Sequence, residues 1–260
     1  MKHAGPLDQV APRYSDFSAC DPGMINDESS QAPVNIVVIA ENKAVAQSWI
    51  TQTLHHCKPG VDAGGANYGR FQFLACAYDQ PLPANGIHEA HIIINTEPSG
   101  IQWRDFSTQA RRVFLHHIGV AAEADIHGAI QYRWNSPEAG IAFCGGLFSM
   151  LARPGIIGLT WEDYIDLLPD SSFAQGLQCG AEDLDTVISG ILDRVAALPS
   201  ERATLALLHI DANGDFSLGD YVDVCSAVEE NLPPLCRLIA TVSITDRAKW
   251  CDVQLAFFAP

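Results

Sequence analysis

Short apolar runs alternate with amphipathic segments through the first half of the chain. Helical spacing of apolar residues predicts a helix over 43–54, and the stretch TQARRVFLHHIG (108–119) is interpreted as a second helix that ends at Gly119. Strands that alternate with helices predict an α/β fold with a parallel sheet. Buried strands are predicted by VNIVVIA (34–40), GRFQFLACAY (69–78), AHIIINT (90–96) and DIHGAIQYRW (125–134).

The second half carries stronger helix signals. Residues 181–198 have one continuous apolar stripe and are followed by Pro199, which is typical of a helix that ends there. A shorter helix is predicted over 160–168 with Thr160 as its N-cap, and 138–152 is a further helix candidate. Further strands are predicted over 173–178, 204–210, 236–244 and 251–259.

The stretch IDANGDFSLGDYVDV (210–224) begins with the alternating polar residues of a calcium-binding loop. Such a loop needs a glycine at position six and a bidentate acid at position twelve. Counting from Asp211, those positions hold Phe216 and Val222. The pattern therefore favours a strand, a turn and a helix that begins with a capping box at Ser217.

Composition narrows the classes of function. The 260 residues carry a formal net charge of -16, so a phosphate backbone is repelled and nucleic-acid binding is disfavoured. The eight cysteines never occur as CxxC, which is typical of a reducing compartment. Because the chain has no signal-peptide pattern and no apolar run of about 20 residues, we expect a cytoplasmic protein without a membrane span. Residues 1–33 lack apolar periodicity and are interpreted as a disordered, acidic tail.

Four segments of the second half resemble, in order, segments of the cell-division protein FtsZ, a relative of tubulin. The segment at 153–164 resembles the FtsZ sequence RPGLINVDFADV, and the segment at 215–221 resembles DLSLGEFDEV. The resemblance covers residues ~145–260 and implies an FtsZ-like C-terminal domain. The four segments are RPGIIGLTWEDY (153–164), FAQGLQCGAEDLD (173–185), DFSLGDY (215–221) and IATVSITDRAKWCDVQLAFFA (239–259).

The first half departs from that family where GTP should bind. FtsZ and tubulin hold the phosphates with glycine-rich loops, because glycine lets the backbone N–H groups approach the anion. After the first strand this chain has Glu41-Asn42-Lys43-Ala44, and after the HIIINT strand it has Glu97-Pro98-Ser99-Gly100. The stretch DAGGANYG (62–69) is similar to another FtsZ phosphate loop, GAGANPEVG. It supplies the remaining candidates for nucleotide binding, which are Gly64, Gly65 and Asn67.

The resemblance also implies where catalysis and assembly would occur. In FtsZ, GTP is hydrolysed between two subunits by acids of the loop NVDFAD. Gly158 and Thr160 stand at the positions of the asparagine and the first of these acids, and only Asp163 keeps the second. Asp163 is therefore a remnant catalytic candidate, with the alternative that it serves as a first-turn acid of a helix. The implied filament-type interface comprises Arg153, Pro154, Gly155, Thr160, Trp161 and Asp163.

Histidine and cysteine spacing does not predict a metal site. His88 and His91 are three residues apart, and the pair His116-His117 is adjacent, without a third ligand at a zinc-type spacing. A G-x-S-x-G nucleophile motif is also missing from the sequence. We therefore expect no metal and no catalytic nucleophile of these types.

The expected architecture is α/β in three parts behind the tail at 1–33. A reduced Rossmann-like domain spans 34–140, a connecting helix and loop span 141–168, and an FtsZ C-terminal-like two-layer α/β sandwich spans 169–260.

The leading hypothesis is a bacterial FtsZ-like cell-division or cytoskeletal protein without GTP hydrolysis and without a cofactor. Its partner would be an FtsZ-type filament protein or a second copy of itself, and it would act as a cap or modulator. One alternative is a diverged GTPase that binds GTP with Mg²⁺ and polymerises. A second alternative is an unrelated binding protein that reuses the fold. Enzymatic activity is left open, with its absence favoured.

Overall fold

The structure is a computed structural model that describes residues 33–57, 67–68, 70–82, 86–95, 110–119, 128–152, 157–169, 172–196, 202–244 and 250–260. The predicted tail, apart from Pro33, lies outside these residues. Five residues of the predicted sites also lie outside them: Gly64, Gly65, Arg153, Pro154 and Gly155.

The strands that the structure describes form one ten-stranded sheet. They are β1 (Val34–Ala40), β2 (Asn67–Tyr68), β3 (Phe71–Ala77), β4 (Ile87–Ile94), β5 (Ala110–Ile118), β6 (Ala129–Trp134), β7 (Ser172–Ala181), β8 (Leu205–Ala212), β9 (Arg237–Ile244) and β10 (Cys251–Ala259). Their order across the sheet is β2-β3-β1-β4-β5-β6-β7-β10-β8-β9. Strands β3, β1, β4, β5, β6 and β7 are parallel, while β10 is antiparallel to β7 and β8.

Five helices lie within the described residues. They are α1 (Lys43–His56), α2 (Pro137–Ala152), α3 (Trp161–Leu167), α4 (Leu184–Ala196) and α5 (Leu218–Glu229). Two of them begin where local capping chemistry predicts. The Thr160 side chain accepts from the Asp163 N–H, and Ser217 and Asp220 form a reciprocal capping box.

The two faces of the sheet carry different helices. Helices α1 and α2 pack on one face, where Trp49, Phe148 and Tyr132 belong to the same buried cluster. Helices α4 and α5 pack on the opposite face of the last four strands, with Val187 of α4 and Val224 of α5 in the second cluster. Because side chains alternate along a strand, β8 and β10 contribute to both clusters.

The α/β prediction is confirmed, but the helix predicted at 108–119 is wrong. Residues 110–118 form β5, which pairs in parallel with β4 and β6. Both faces of this central strand are covered, so a nearly continuous apolar run suits it, with Phe114 and Leu115 both buried. The predicted end at Gly119 is correct, since Gly119 has a positive φ of 64° and closes the element.

The sheet continues across the boundary predicted near residue 140. Strand β6 pairs with β7 from Ile130 opposite Ser172 to Tyr132 opposite Ala174. Residues Pro33–Pro260 form one compact unit by their contacts. The division of this unit into domains at 140 and 169 stays a prediction. None of the helices that the structure describes has both the length and the apolar character needed to cross a bilayer.

Candidate functional site

Helix α3, which carries part of the predicted interface, is fixed against the amino-terminal edge of the parallel strands. At its first turn, Glu162 pairs with Arg70, just before β3, at 2.6 Å between Nη2 and Oε1. Near its end, Asp166 pairs at 2.7 Å with Arg111, at the start of β5. The neighbouring Arg112 donates to the carbonyl oxygens of residues 165 and 168 at 3.0 and 3.2 Å, which satisfies the C-terminal end of the helix.

Trp161 joins this helix to the interior. Its side chain is only 4% exposed, and its indole N–H donates to Oε1 of Glu89 on β4. The guanidinium carbons of Arg70 and Arg111 lie 5.8 and 5.5 Å from the centre of its ring, within cation–π range. Because this side chain is used inside the fold, the exposed predicted interface residues within the described part are Thr160 and Asp163.

A buried chain of hydrogen bonds begins at Glu89, and we call it the buried relay: Trp161, Glu89, His91, His116 and Trp134. The Glu89 Oε2 atom lies 3.0 Å from His91 Nε2, and His91 Nδ1 lies 3.0 Å from His116 Nε2. Trp134 closes the relay by donating its indole N–H to His116 Nδ1 at 3.0 Å. Glu89, His91 and His116 are each at most 3% exposed.

The two indoles determine where every proton of the buried relay lies. An indole nitrogen can only donate, so His116 Nδ1 is an acceptor and His116 carries its proton on Nε2. That proton is donated to His91 Nδ1, so His91 carries its own proton on Nε2 and donates to Glu89. Glu89 thus accepts at both oxygens, as a carboxylate does. Burial, and then the neighbouring histidines, hold the pKa of His116 well below its usual value, which keeps it neutral.

Three members of this region lie close enough together to suggest a metal site. The ligand atoms of His91, His116 and Cys144 are all within 4.8 Å of one another. A metal on His116 would need the lone pair of Nε2 and would put the proton on Nδ1, against the Trp134 N–H. Burial also raises the pKa of the Cys144 thiol, which opposes the thiolate that a metal requires. The proton positions and the neutral thiol therefore disfavour a metal ion in this cluster, and the absence of a metal stays a prediction.

Asp163 occupies the third position of α3 and is exposed. Its N–H donates to Thr160 Oγ1 at 3.1 Å, and the Thr160 hydroxyl donates to its Oδ2 at 2.6 Å. The carboxylate thus serves the cap of α3 and also faces solvent. Its catalytic role stays a prediction, as does the interface role of Thr160 and Asp163.

The opposite, carboxyl-terminal edge is where α/β folds place nucleotides, at the point between two strands where the chain order reverses. In this sheet that point lies between β1 and β4. Strand β1 ends at Ala40 and is followed by the exposed Glu41 and by Asn42, the N-cap of α1. The Asn42 Oδ1 atom accepts from the Val45 N–H at 3.0 Å, so the cap uses one of the N–H groups at this helix start.

Tyr78 also lies at this carboxyl-terminal edge. Its N–H donates to the Ala40 carbonyl oxygen at 2.9 Å, and its hydroxyl donates to the carbonyl oxygen of Ile93 on β4. Since β1 stands between β3 and β4, this side chain crosses the end of β1. Burial, and then the Glu41 carboxylate, raise the pKa of Tyr78 to about 12. Of the described groups here, the Tyr78 phenol and the Glu41 carboxylate do not suit a phosphate, although the first N–H groups of α1 and the Lys43 side chain lie beside them.

Asn67 lies elsewhere, and of the three predicted nucleotide-binding residues it is the one within the described part of the chain. Asn67 belongs to the edge strand β2, where it pairs with Gln72 near the start of β3. Tyr78 lies six positions after Gln72, which is roughly 20 Å along a strand. The nucleotide role of Asn67 stays a prediction that this placement does not favour.

No family model matches the sequence, and no curated protein matches it. Solved structures do match. FtsZ from M. jannaschii, in an empty dimer, aligns with 13% identity and a TM-score of 0.60 over 89% of this chain and 90% of that one. TubZ from Bacillus thuringiensis serovar israelensis, in GDP-form protofilaments, aligns with 10% identity and a TM-score of 0.56 over 90% of this chain and 87% of that one.

The chain has an FtsZ/tubulin-like fold. CetZ2 from Haloferax volcanii, in a GTPγS-bound protofilament, extends the match, with 9% identity and a TM-score of 0.52 over 86% of this chain and 92% of that one. The predicted resemblance to FtsZ is therefore confirmed at the level of the fold. The alignment also reaches through the first half, where the sequence lacks the expected glycine loops.

In this FtsZ-like fold, sequence reasoning found the capped start of α3 but missed the buried relay. Glu89 and His91 are two apart in a strand, so they share a face, and this signal was available in the sequence. The contribution of His116 and Trp134 depends on the register of three strands, which single-sequence patterns do not provide.

Proposed function

We propose that the chain is an FtsZ-like cytoskeletal protein that acts through protein contacts, as a cap or modulator of FtsZ-type filaments, without hydrolysing GTP. The general support is the fold it shares with proteins solved as a dimer or as protofilaments. Its partner would be an FtsZ-type filament protein or a second copy of this chain. The seven described cysteines are all free, which agrees with a reducing compartment such as a bacterial cytoplasm.

One observation supports this proposal most: the two candidate contact faces lie at opposite ends of the same strands. Helix α3 contacts the amino-terminal ends of β3, β4 and β5, and the nucleotide edge lies at the carboxyl ends. The length of β4 from Ile87 to Ile94 separates them by roughly 23 Å at about 3.3 Å per residue. A head-to-tail filament uses two such different faces on each subunit.

The two faces differ in how they are built. Two ion pairs, the Arg112 hydrogen bonds at the helix end and the buried Trp161 fix the position of α3. The α3 face would therefore bind a partner without rearranging. At the other edge, the Glu41 carboxylate and the Tyr78 phenol disfavour a bound phosphate. A subunit with only the α3 face competent would join one end of a filament and stop its growth. The interface would include Arg153, Pro154, Gly155, Thr160 and Asp163.

The test is co-assembly with a GTP-dependent FtsZ. Added at equal concentration, the chain is expected to lower both the pelleted fraction and the GTPase rate of FtsZ, because growth stops at capped ends. Asp163→Asn should weaken this effect, since it removes the charge but keeps an acceptor for the Thr160 hydroxyl. The matched control is Asp220→Asn, which makes the same change at the third position of α5.

Comparing the two variants distinguishes a role of Asp163 in binding the filament from a role in stabilising its helix. Equal loss of activity in Asp163→Asn and Asp220→Asn would assign both effects to helix capping and remove the α3 face from the proposal. Unchanged pelleting and GTPase rates with the unmodified chain would contradict capping altogether.

A further inference from the structure

The sheet face beneath α2 changes from apolar to polar across the last strands. Two rows of side chains cross β7, β10, β8 and β9 in register. The first row is Gln178, Gln254, His209 and Thr241, and the second is Gly180, Asp252, Asp211 and Ser243. The two preceding positions on this face of β8, Leu205 and Leu207, belong to the apolar core. Five members of these rows are buried, and buried polar side chains are costly unless they have partners: His209, Asp211, Thr241, Ser243 and Gln254.

A cavity of about 110 Å³ lies between these rows and α2. Its walls include Ser149 of α2, His209 and Asp211 of β8, and Asp252 and Gln254 of β10. Two glycines leave room for side chains of its walls. A Cβ at Gly146 would lie 1.4 Å from Gln254 Nε2, and a Cβ at Gly180 would lie 2.1 Å from Asp252 Oδ1. Glycine inside helix α2 costs about 1 kcal/mol relative to alanine, so Gly146 is explained by the space that Gln254 needs.

Two polar side chains of this cavity are buried without a protein partner. Gln254 is 8% exposed and Ser149 is 5% exposed. Neither side chain forms a hydrogen bond with the described part of the chain, and neither is among its fully enclosed unpaired polar groups, so their polar atoms are accessible from the cavity. These two groups are therefore available to hydrogen-bond a polar molecule in the cavity.

His209 shows which kind of hydrogen-bonding group such a molecule needs. The Thr241 hydroxyl donates to the Leu208 carbonyl oxygen at 3.3 Å, so it accepts from His209 Nδ1 at 2.9 Å. The proton of His209 is thus on Nδ1, and the Nε2 lone pair remains an acceptor. Burial lowers the pKa of His209 to about 4, so the ring stays neutral at pH 7. The Asp211 and Asp252 side chains accept in their ionised form.

We propose that this cavity binds a small primary amine in its ammonium form. An ammonium group brings three donors and a positive charge to a wall of carboxylates and an imidazole acceptor. The described lining contains no lysine or arginine, which disfavours an anion. A single metal ion fits less well, because among the described residues no triad of His209, Asp211 and Asp252 brings its ligand atoms within 4.8 Å. The volume admits several water-sized groups, which suits a short amine.

The experiment is calorimetric titration of the full chain with putrescine and with butylamine. Butanediol is the uncharged control, and Mg²⁺ and Ca²⁺ are titrated separately. We expect saturable binding of at least one amine and none of butanediol. Asp252→Asn should weaken amine binding by about tenfold or more, since a charge-assisted bond is lost. Gly146→Ala should abolish it by displacing the Gln254 amide.

Two control variants make the test specific. Asp223→Asn removes an exposed carboxylate of α5, and Gly190→Ala adds a methyl group on α4 where nothing lies within 4 Å. Both should bind the amine like the unmodified chain. Absence of saturable amine binding would overturn the proposal. So would amine binding that survives both Asp252→Asn and Gly146→Ala, or binding of Mg²⁺ or Ca²⁺ in place of the amines.

Discussion

The buried relay makes a sharp prediction for Glu89→Gln. The relay has four contacts, and its two indoles and two neutral histidines supply four donors. Each of the four donors needs an acceptor, and the two histidines supply only one each. The remaining member must therefore accept twice, as a carboxylate does. Glutamine has one acceptor and one NH₂ donor, so somewhere along the relay two donors must face each other. Shifting the protons of His91 and His116 only moves this clash to Trp134.

The free-energy cost of the two facing donors is obtained by making Glu89→Gln both in the unmodified chain and in the Trp161→Phe variant. Removing the buried charge relieves a desolvation cost of several kcal/mol, which obscures the single mutant. Trp161→Phe removes one donor, so in that background the introduced glutamine can turn its oxygen to His91 without a clash. The desolvation term is present in both backgrounds and cancels. The clash of two buried donors should therefore appear as a coupling free energy of about 2 kcal/mol or more between the two substitutions.

The assay is urea unfolding of the unmodified chain, both single mutants and the double mutant, followed by circular dichroism. The double mutant should be more stable than the sum of the single effects predicts. Glu162→Gln is the control on the same region, because its side chain is 53% exposed and its loss should cost about 1 kcal/mol at most. Additivity within about 0.5 kcal/mol would refute the proton assignment of the buried relay.

Three further substitutions test local parts of the structure by urea unfolding. The folded pKa of His209 is about 4, below its ordinary 6.5, so the unfolded chain binds the proton first and stability is lost as pH falls from 6.5 towards 4. His209→Gln should reduce that loss by up to about 1.4 kcal/mol per pH unit, and an unchanged slope would contradict it. Asn42→Ala should cost about 1 kcal/mol by uncapping α1, measured beside Gln47→Ala as an exposed control. Tyr78→Phe should cost about 1 kcal/mol by leaving the Ile93 carbonyl oxygen without its donor, and no change would refute that bond.

Local chemistry explains why parts of the fold could be predicted from the sequence. Thr160 and Ser217 cap helices with residues three positions away, so short patterns predicted both helix starts. Strand β10 was predicted at 251–259 with the bounds that the structure has, because its apolar residues alternate.

The parts that were missed depend on distant partners. Strand β5 was interpreted as a helix that ends at Gly119, and its arginines and histidines interrupt the apolar run that would indicate a buried strand. His116 is tolerated inside the sheet because His91 and Trp134 hydrogen-bond to it from neighbouring strands. The polar rows under α2 likewise arise from the pairing of β7, β10 and β8, and Gln254 alone resembles an ordinary outward-facing strand residue.

Whether the carboxyl-terminal edge binds GTP decides the proposed function most directly. The measurement is calorimetric titration of the purified chain with GTP in magnesium buffer, with an FtsZ as the positive control. Because Glu41 and Tyr78 disfavour a phosphate at this edge, we predict no saturable heat from the chain while FtsZ binds normally. Saturable micromolar binding by the chain would contradict the proposed cap and would favour a diverged GTPase that polymerises.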